Sequence, residues 1–194
     1  FYRKETPFKM KDYLIFIPNL ISITRIILVY PILINFYNGH FFWSLSFFIL
    51  ASLSDALDGY LARTFNWQTE LGKILDPIAD KFLLIGMVLI FWLEQIIPDY
   101  VILILILREL IILLGASFHM TVYHLNTPQP NMLGKLFTLL LIIYVLIELV
   151  NVMFEIVGIH QLHHIVISIA CLISLFSYTI NWIKLTYKLH NKNV

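Results

Sequence analysis

Charged side chains are scarce in this chain. Asp, Glu, Lys and Arg make up only 13% of its 194 residues, whereas 60% are hydrophobic and the mean hydropathy is +0.85. A soluble domain needs more charge to cover its surface, so the composition is typical of a helical membrane protein of one domain. The single cysteine, Cys171, excludes an intramolecular disulfide, and its apolar surroundings predict a buried packing role. The net charge of +1 gives no indication of nucleic-acid binding.

Six apolar runs are each about long enough to cross a membrane, which takes roughly 20 residues. They cover residues 17–36, 41–61, 73–93, 100–123, 132–154 and 163–185. The connections between them are short, and no internal repeat is visible. We therefore predict an all-α fold: a polytopic membrane protein with a bundle of six transmembrane helices.

Basic residues in the connections and at the ends of the spans are unevenly distributed. They precede the first span, separate the second from the third, follow the fourth and end the chain: Arg3, Lys4, Lys9, Lys11, Arg63, Lys73, Lys135, Lys184, Lys188 and Lys192. The other three connections hold only Glu94, Asp99 and Glu155 as charged residues. By the positive-inside rule, both chain ends face the cytoplasm.

Residues 1–16 mix basic and apolar side chains. They form either a short interfacial helix on the inner face of the membrane, drawn to anionic lipid, or a disordered basic flank. The first alternative divides the chain into an N-terminal interfacial segment, 1–16, and one six-helix domain, 17–194.

Four aspartates lie where the second span ends and the third begins. Asp55 and Asp58 are three residues apart and Asp76 and Asp80 are four apart, so on helices each pair shares one face. The first pair lies roughly 20–25 Å from the outer end of its helix, near the inner leaflet where the third span starts. Charges at membrane depth are costly and usually mark a functional site, although salt-bridged interfacial charges are the simpler alternative.

Four carboxylates at one depth repel each other and need neutralisation by protons or by divalent cations. Oxygen ligands favour Mg²⁺, Mn²⁺ or Ca²⁺, and pairs of such ions serve phosphoryl chemistry. Gly59 and Gly72 allow a bulky ligand to approach the backbone, although Gly59 alone also fits helix packing. Arg63, one turn beyond Gly59, is placed to meet a phosphate. These residues predict a phosphoryl-transfer site.

The same residues belong to one longer pattern. It reads Asp55-x2-Asp58-Gly59-x2-Ala62-Arg63-x8-Gly72-x3-Asp76-x3-Asp80. This pattern resembles the signature of the CDP-alcohol phosphatidyltransferase family, and six spans with cytoplasmic ends also fit that family. The resemblance implies a membrane enzyme, in a bacterial inner membrane with its active site facing the cytoplasm. It also implies a homodimer that moves a phosphatidyl group from CDP-diacylglycerol to an alcohol and releases CMP.

The resemblance further implies roles for individual residues. The ligands of two Mg²⁺ or Mn²⁺ ions would be Asp55, Asp58, Asp76 and Asp80, with Asp80 also the catalytic base. The nucleotide would be bound by Asp58, Gly59, Ala62, Arg63 and Gly72. The stretches around Pro18-Asn19, Arg108-Glu109-Leu110 and Leu133-Gly134-Lys135 resemble the phosphatidylglycerophosphate synthase branch, whose acceptor is glycerol 3-phosphate. In that branch, the acceptor phosphate would be held by Arg25, Arg108 and Lys135.

Arg108 lies well inside the fourth span, where an arginine needs a partner. Its neighbour Glu109 points to another side of the helix. We therefore expect an acid of the aspartate cluster, or a phosphate, to be the partner, with a purely structural ion pair as the alternative.

Three other functions stay open, and one of them is a non-catalytic lipid-binding subunit. The glycerol 3-phosphate branch commonly carries a second arginine about two turns after the Arg-Glu-Leu sequence, and residues 115–119 contain none. Cardiolipin synthases of the same superfamily, which use phosphatidylglycerol as acceptor, are the alternative, and the proline-rich residues 127–130 are similar to theirs. A divalent-cation transporter is an alternative of another class, but it predicts acids strung across the membrane depth or related halves.

His160, His163 and His164 have the spacing of metal ligands but fall at the outer end of the sixth span, far from the four aspartates. We expect interfacial histidines there rather than a metal site. Glu148 lies deep in the fifth span, and we expect a polar partner for it across the bundle.

Overall fold

The computed structural model describes residues 17–65, 69, 72–123, 132–155 and 160–190. Within these residues the protein contains six α-helices and no strand. The helices are α1 (Ile17–Tyr37), α2 (Phe41–Thr64), α3 (Gly72–Leu93), α4 (Asp99–Tyr123), α5 (Met132–Phe154) and α6 (His160–His190). They follow the six apolar runs closely, so the all-α fold is confirmed. The interfacial segment predicted for residues 1–16 lies outside the described residues.

Among the described residues, four helices are long and apolar enough to cross a membrane. The crossing stretches are Asn19–Tyr37, Asp99–Phe118, Met132–Phe154 and Gln161–Tyr187. In α2 the apolar stretch, Phe41–Asp55, is shorter, and α3 carries four charged residues in its first half. Large apolar side chains face outward: Leu114 is 69% exposed and Phe176 is 68% exposed. Such a surface is stable in lipid and not in water, so the protein is integral to the membrane.

The chain divides into two compact units, residues 1–90 and 91–194. In the first unit, α1 packs along α2. The buried hydroxyl of Ser44 donates a hydrogen bond to the carbonyl oxygen of Ile32 at 3.0 Å. The third helix approaches α1 at Gly86, where an added Cβ would lie 3.4 Å from the side chains of both Val29 and Leu33. The apolar core of this unit includes Ile32, Phe36, Phe48 and Ala51.

In the second unit, α6 packs against both α4 and α5. A Cβ added to Gly115 of α4 would overlap the ring of Trp182 on α6, so this close approach requires glycine. Cys171 of α6 is fully buried, which confirms its predicted packing role. The core also includes Val101, Phe137, Val145 and Leu149.

Two helices end in the same hydrogen-bonded turn. After α1, His40 N–H donates to the Asn35 carbonyl at 2.8 Å and Gly39 N–H donates to the Phe36 carbonyl at 3.0 Å, with Gly39 at φ 75°. This is a Schellman cap, for which glycine is the preferred residue. After α3 the equivalent left-handed position is held by Gln95, at φ 57°. Because Gln95 has a Cβ, the second cap is strained by roughly 1 kcal/mol.

We expect Gln95→Gly to stabilise the protein by about 0.5–1 kcal/mol, because glycine adopts the left-handed conformation without a steric penalty. The thermal midpoint of the detergent-solubilised protein should rise by roughly 2–4 °C per kcal/mol. Gln95→Ala is the matched control and should give no rise. An equal rise in both variants would contradict the assignment of strain to the backbone.

Candidate active site

Three polar residues line one face of α1. Asn19, Ser22 and Arg25 follow at intervals of three, which places them one above another on the helix. All three are buried. Each of these three side chains contacts a different part of residues 55–80, which contain the four aspartates. Helix α1 therefore supplies polar partners to acidic residues of α2 and α3.

Arg25 joins two of the four aspartates. Its Nη1 atom lies 2.8 Å from Asp55 Oδ1 and also pairs with Asp80 Oδ1. Because both oxygens bind one nitrogen, they lie within roughly 6 Å of each other. The Arg25 side chain is fully buried, whereas those of Asp55 and Asp80 are 41% and 35% exposed. The guanidinium of Arg25 therefore lies on the buried side of the two carboxylates, and the carboxylates are accessible from the surface of this unit.

Asp76 is tied to the same face of α1. Ser22 donates a hydrogen bond from its hydroxyl to Asp76 Oδ1 at 2.5 Å. Asp76 and Asp80 are four residues apart on α3, as the sequence predicts, and both are partly exposed. Three of the four predicted metal ligands are thus attached to one face of α1 through Ser22 and Arg25.

The start of α3 is fixed by Thr69 and Asn19. The backbone N–H of Gly72 donates to the Thr69 hydroxyl at 2.9 Å, as in an N-terminal cap, and that hydroxyl donates to Asn19 Oδ1 at 2.8 Å. A Cβ on Gly72 would lie only 2.7 Å from Asn19 Oδ1. The space beside Gly72 is therefore occupied by Asn19, and the predicted role of Gly72 in nucleotide binding stays a prediction.

Four further predicted residues fall in the last turns of α2: Asp58, Gly59, Ala62 and Arg63. Their side chains lie outside the part of the chain that the structure describes. Their predicted roles, metal binding for Asp58 and nucleotide binding for all four, stay predictions.

The donor set fits divalent cations. Asp55, Asp76 and Asp80 offer only carboxylate oxygens, the ligand type that Mg²⁺ and Mn²⁺ prefer. All three are partly exposed, so a cation can reach them. Arg25 offsets part of their negative charge, so the arrangement does not need full neutralisation by the ion.

The prediction that Glu109 points away from Arg108 was wrong. Arg108 pairs with its neighbour Glu109, and its guanidinium also donates to the Ser174 hydroxyl at 3.2 Å and lies 4.4 Å from the ring centroid of Phe137. Backbone direction separates adjacent helical residues, but a long arginine side chain can turn sideways to reach its neighbour. Arg108 is therefore held in a structural cluster of the second unit, and Lys135 is exposed on α5. The predicted acceptor-phosphate role of Arg25, Arg108 and Lys135 stays a prediction.

Comparison with protein families settles the class of this protein. The family model described as CDP-alcohol phosphatidyltransferase matches residues 15–183, most of the chain. The chain belongs to this family. It is therefore a transferase, and the acidic residues gathered by α1 fall within the matched region.

Relatives with different names are similar to this chain. A CDP-diacylglycerol–glycerol-3-phosphate 3-phosphatidyltransferase of Aquifex aeolicus is 31% identical over 176 residues, covering 89% of this chain and 94% of that protein. A protein of the same name from Rickettsia typhi is 37% identical over 127 residues, covering 64% of this chain and 70% of that protein. A cardiolipin synthase (CMP-forming) of Rattus norvegicus is 37% identical over 126 residues, covering 62% of this chain but 39% of that protein.

Ser22 and Thr69 were not predicted as part of the site. A signal for Ser22 was available, because polar residues at 19, 22 and 25 form a stripe at helical spacing inside an apolar run. Thr69 carried no comparable signal, since its role depends on Asn19, fifty residues earlier in the chain.

We expect Gly72→Ala to destabilise the protein by about 1–3 kcal/mol, because the new methyl group meets Asn19. Asn19→Ala should remove that clash, so the double variant should lose less stability than the sum of the two single variants. Thermal midpoints of the three variants and the unsubstituted protein complete this double-mutant cycle. Strict additivity would contradict the contact, and Gly86→Ala, which meets only ordinary side-chain contacts at 3.4 Å, is the glycine control.

Proposed function

We propose that this protein transfers the phosphatidyl group of CDP-diacylglycerol to the hydroxyl of glycerol 3-phosphate and releases CMP. The observation that carries the proposal is the meeting of Asp55 and Asp80 on the buried Arg25, within a region that matches the family. This pairing gathers acids from two helices into one group, as a phosphoryl-transfer site needs.

In the proposed reaction, Asp80 accepts the proton of the acceptor hydroxyl. The hydroxyl oxygen forms a bond to the lipid-side phosphorus, and the bond between that phosphorus and the bridging oxygen breaks, so that CMP leaves with the electron pair. Asp80 is suited to this role because its carboxylate is partly exposed and is held in place by Arg25.

Asp55, Asp58, Asp76 and Asp80 are the proposed ligands of two Mg²⁺ or Mn²⁺ ions. When bound, such ions neutralise the diphosphate and the charge that develops on the leaving group. Arg25 keeps Asp55 and Asp80 in a fixed arrangement before the substrate binds. The second proposed set, Asp58, Gly59, Ala62, Arg63 and Gly72, would bind the cytidine nucleotide.

The charge distribution of the connections supports an active site on the cytoplasmic side of a bacterial inner membrane. There the acyl chains of the donor stay in lipid, while the nucleotide and the acceptor are reached from the cytoplasm. We propose a homodimer on family resemblance. We also propose that 17–194 form the catalytic domain and 1–16 an interfacial segment.

Glycerol 3-phosphate is the preferred acceptor because the Aquifex relative of that specificity matches over almost its full length. Phosphatidylglycerol is the alternative acceptor, since the rat cardiolipin synthase matches at a similar level of identity over a shorter part of its own chain. The absence of arginine from residues 115–119 also favours the alternative. Gly115 of α4 packs against Trp182 of α6, so the space beside Gly115 is already filled by this ring.

Replacement of the proposed base tests the mechanism. We expect Asp80→Asn to lower turnover by roughly 10²–10⁴-fold, the usual contribution of a general base, while CDP-diacylglycerol still binds. Asp99→Asn is the matched control: Asp99 is an exposed acid that accepts a hydrogen bond from Trp92, which asparagine can also accept. CMP release and donor binding are the two measurements. Unchanged turnover in Asp80→Asn would refute the assignment of the base.

A panel of acceptors tests the substrate. Purified protein with CDP-diacylglycerol and Mg²⁺ or Mn²⁺ receives glycerol 3-phosphate, phosphatidylglycerol, serine or inositol phosphate in separate reactions. We expect CMP release with glycerol 3-phosphate. Release with phosphatidylglycerol alone would establish the alternative acceptor, and divalent-cation uptake into liposomes without any CMP release would instead indicate a transporter.

A further inference from the structure

The second unit contains a buried polar cluster that the proposed reaction does not use. Tyr144 and Glu148 are four residues apart on α5 and share one face, and His163 and His164 lie near the start of α6. The side chain of Glu148 is fully buried, and those of His163 and His164 are 11% and 3% exposed. Four residues with metal-ligating atoms thus meet between two helices.

Both imidazoles approach the same carboxylate oxygen. His163 Nε2 lies 2.6 Å and His164 Nδ1 lies 3.4 Å from Glu148 Oε1. The Tyr144 hydroxyl lies 2.9 Å from His164 Nδ1. One potential ligand atom from each of Glu148, His163 and His164 lies within 4.8 Å of the others.

These separations suit a four-coordinate ion. Ligands at the usual zinc distances of about 2.0–2.2 Å stand roughly 3.3 Å apart around a tetrahedral centre. The separation of His164 Nδ1 from Glu148 Oε1, 3.4 Å, is close to this value. The separations of His163 Nε2 from Glu148 Oε1, 2.6 Å, and of the Tyr144 hydroxyl from His164 Nδ1, 2.9 Å, are shorter and would have to widen when an ion binds. With Tyr144 as a fourth oxygen donor, the cluster offers two nitrogens and two oxygens.

Charge and donor type indicate which kind of metal ion the cluster would bind. The fully buried carboxylate of Glu148 lies beside two imidazoles, and a divalent cation held by all three groups would supply positive charge to it directly. Imidazole nitrogen favours Zn²⁺ and its neighbours among the transition metals over Mg²⁺ and Ca²⁺. The cluster therefore differs in selectivity from the all-carboxylate group of the first unit.

We propose that Tyr144, Glu148, His163 and His164 form a binding site for a divalent transition metal, with Zn²⁺ as the best fit, which fastens α5 to α6. His160, His163 and His164 were predicted to be interfacial. The burial of His163 and His164 beside Glu148 supports a metal site at these two instead, and the His160 side chain lies outside the described residues. In the proposed topology, the site lies toward the outer face of the membrane, at the end of each helix remote from the cytoplasm.

Cobalt is the spectroscopic probe for this site. The full-length protein in detergent is freed of metal with a chelator and then returned to excess Mg²⁺, which occupies sites built from oxygen alone. We expect Co²⁺ to produce the intense visible absorption of a four-coordinate ion, saturating at one equivalent per chain. One equivalent of Zn²⁺ should abolish the absorption, and Zn²⁺ should raise the thermal midpoint.

Three variants locate the ion. Glu148→Gln and His163→Gln should weaken Co²⁺ binding by more than roughly 100-fold, and Tyr144→Phe by roughly 10-fold. His40→Gln, at an exposed histidine between α1 and α2, is the matched control and should bind as the unsubstituted protein does. Phosphatidyl transfer in Mg²⁺ should persist in His163→Gln, so the result is separable from the proposed function.

Two results would overturn the proposal. One is the absence of four-coordinate Co²⁺ absorption in the unsubstituted protein, a measurement that does not depend on whether any variant folds. The other is the same absorption in His163→Gln as in the unsubstituted protein. In either case, the cluster is a network of hydrogen bonds only.

Discussion

The arrangement of the first unit depends on one buried guanidinium. Arg25 of α1 lies against Asp55 of α2 and Asp80 of α3, so a single side chain links three helices. Arg25 is fully buried and would not be stable alone at membrane depth. Because Asp55 and Asp80 are partly exposed, loss of one of them should cost less than the roughly 3–5 kcal/mol typical of a fully buried ion pair. The pair therefore explains how an apolar chain tolerates acids in consecutive helices.

The same stripe of α1 also holds Asp76 and the start of α3. Ser22 binds Asp76, and Asn19 binds Thr69, whose hydroxyl caps the helix that carries Asp76 and Asp80. The acids are thus held in place before any ligand arrives. A preorganised group of this kind avoids reorganisation when substrate binds, which is where much of the catalytic advantage of a rigid site originates.

Sequence periodicity was sufficient for the helices and for the placement of Asp76 and Asp80 on one helix, because apolar run length and four-residue spacing are local properties. It was insufficient where side-chain reach or distant partners decide the contact. The Arg108 side chain bends sideways to pair with Glu109, although the two backbone positions point to different sides of the helix. Glu148 contacts His163, which lies fifteen residues later in the chain and on another helix. The left-handed turn at Gln95, just after α3, could not be predicted either, because no glycine marks that position in the sequence.

The polar groups of the two units differ in their access to the outside. Asp55 and Asp80 are more than a third exposed although their cation is fully buried, whereas Arg108 is 9% exposed beside Glu109 at 24%, and Glu148 is fully buried beside His163 at 11%. If the acids of the first unit served only to neutralise Arg25, burial of the whole group would strengthen the attraction in the low dielectric. Their exposure is instead what a group needs when its carboxylate oxygens must also receive a cation or a proton from a substrate.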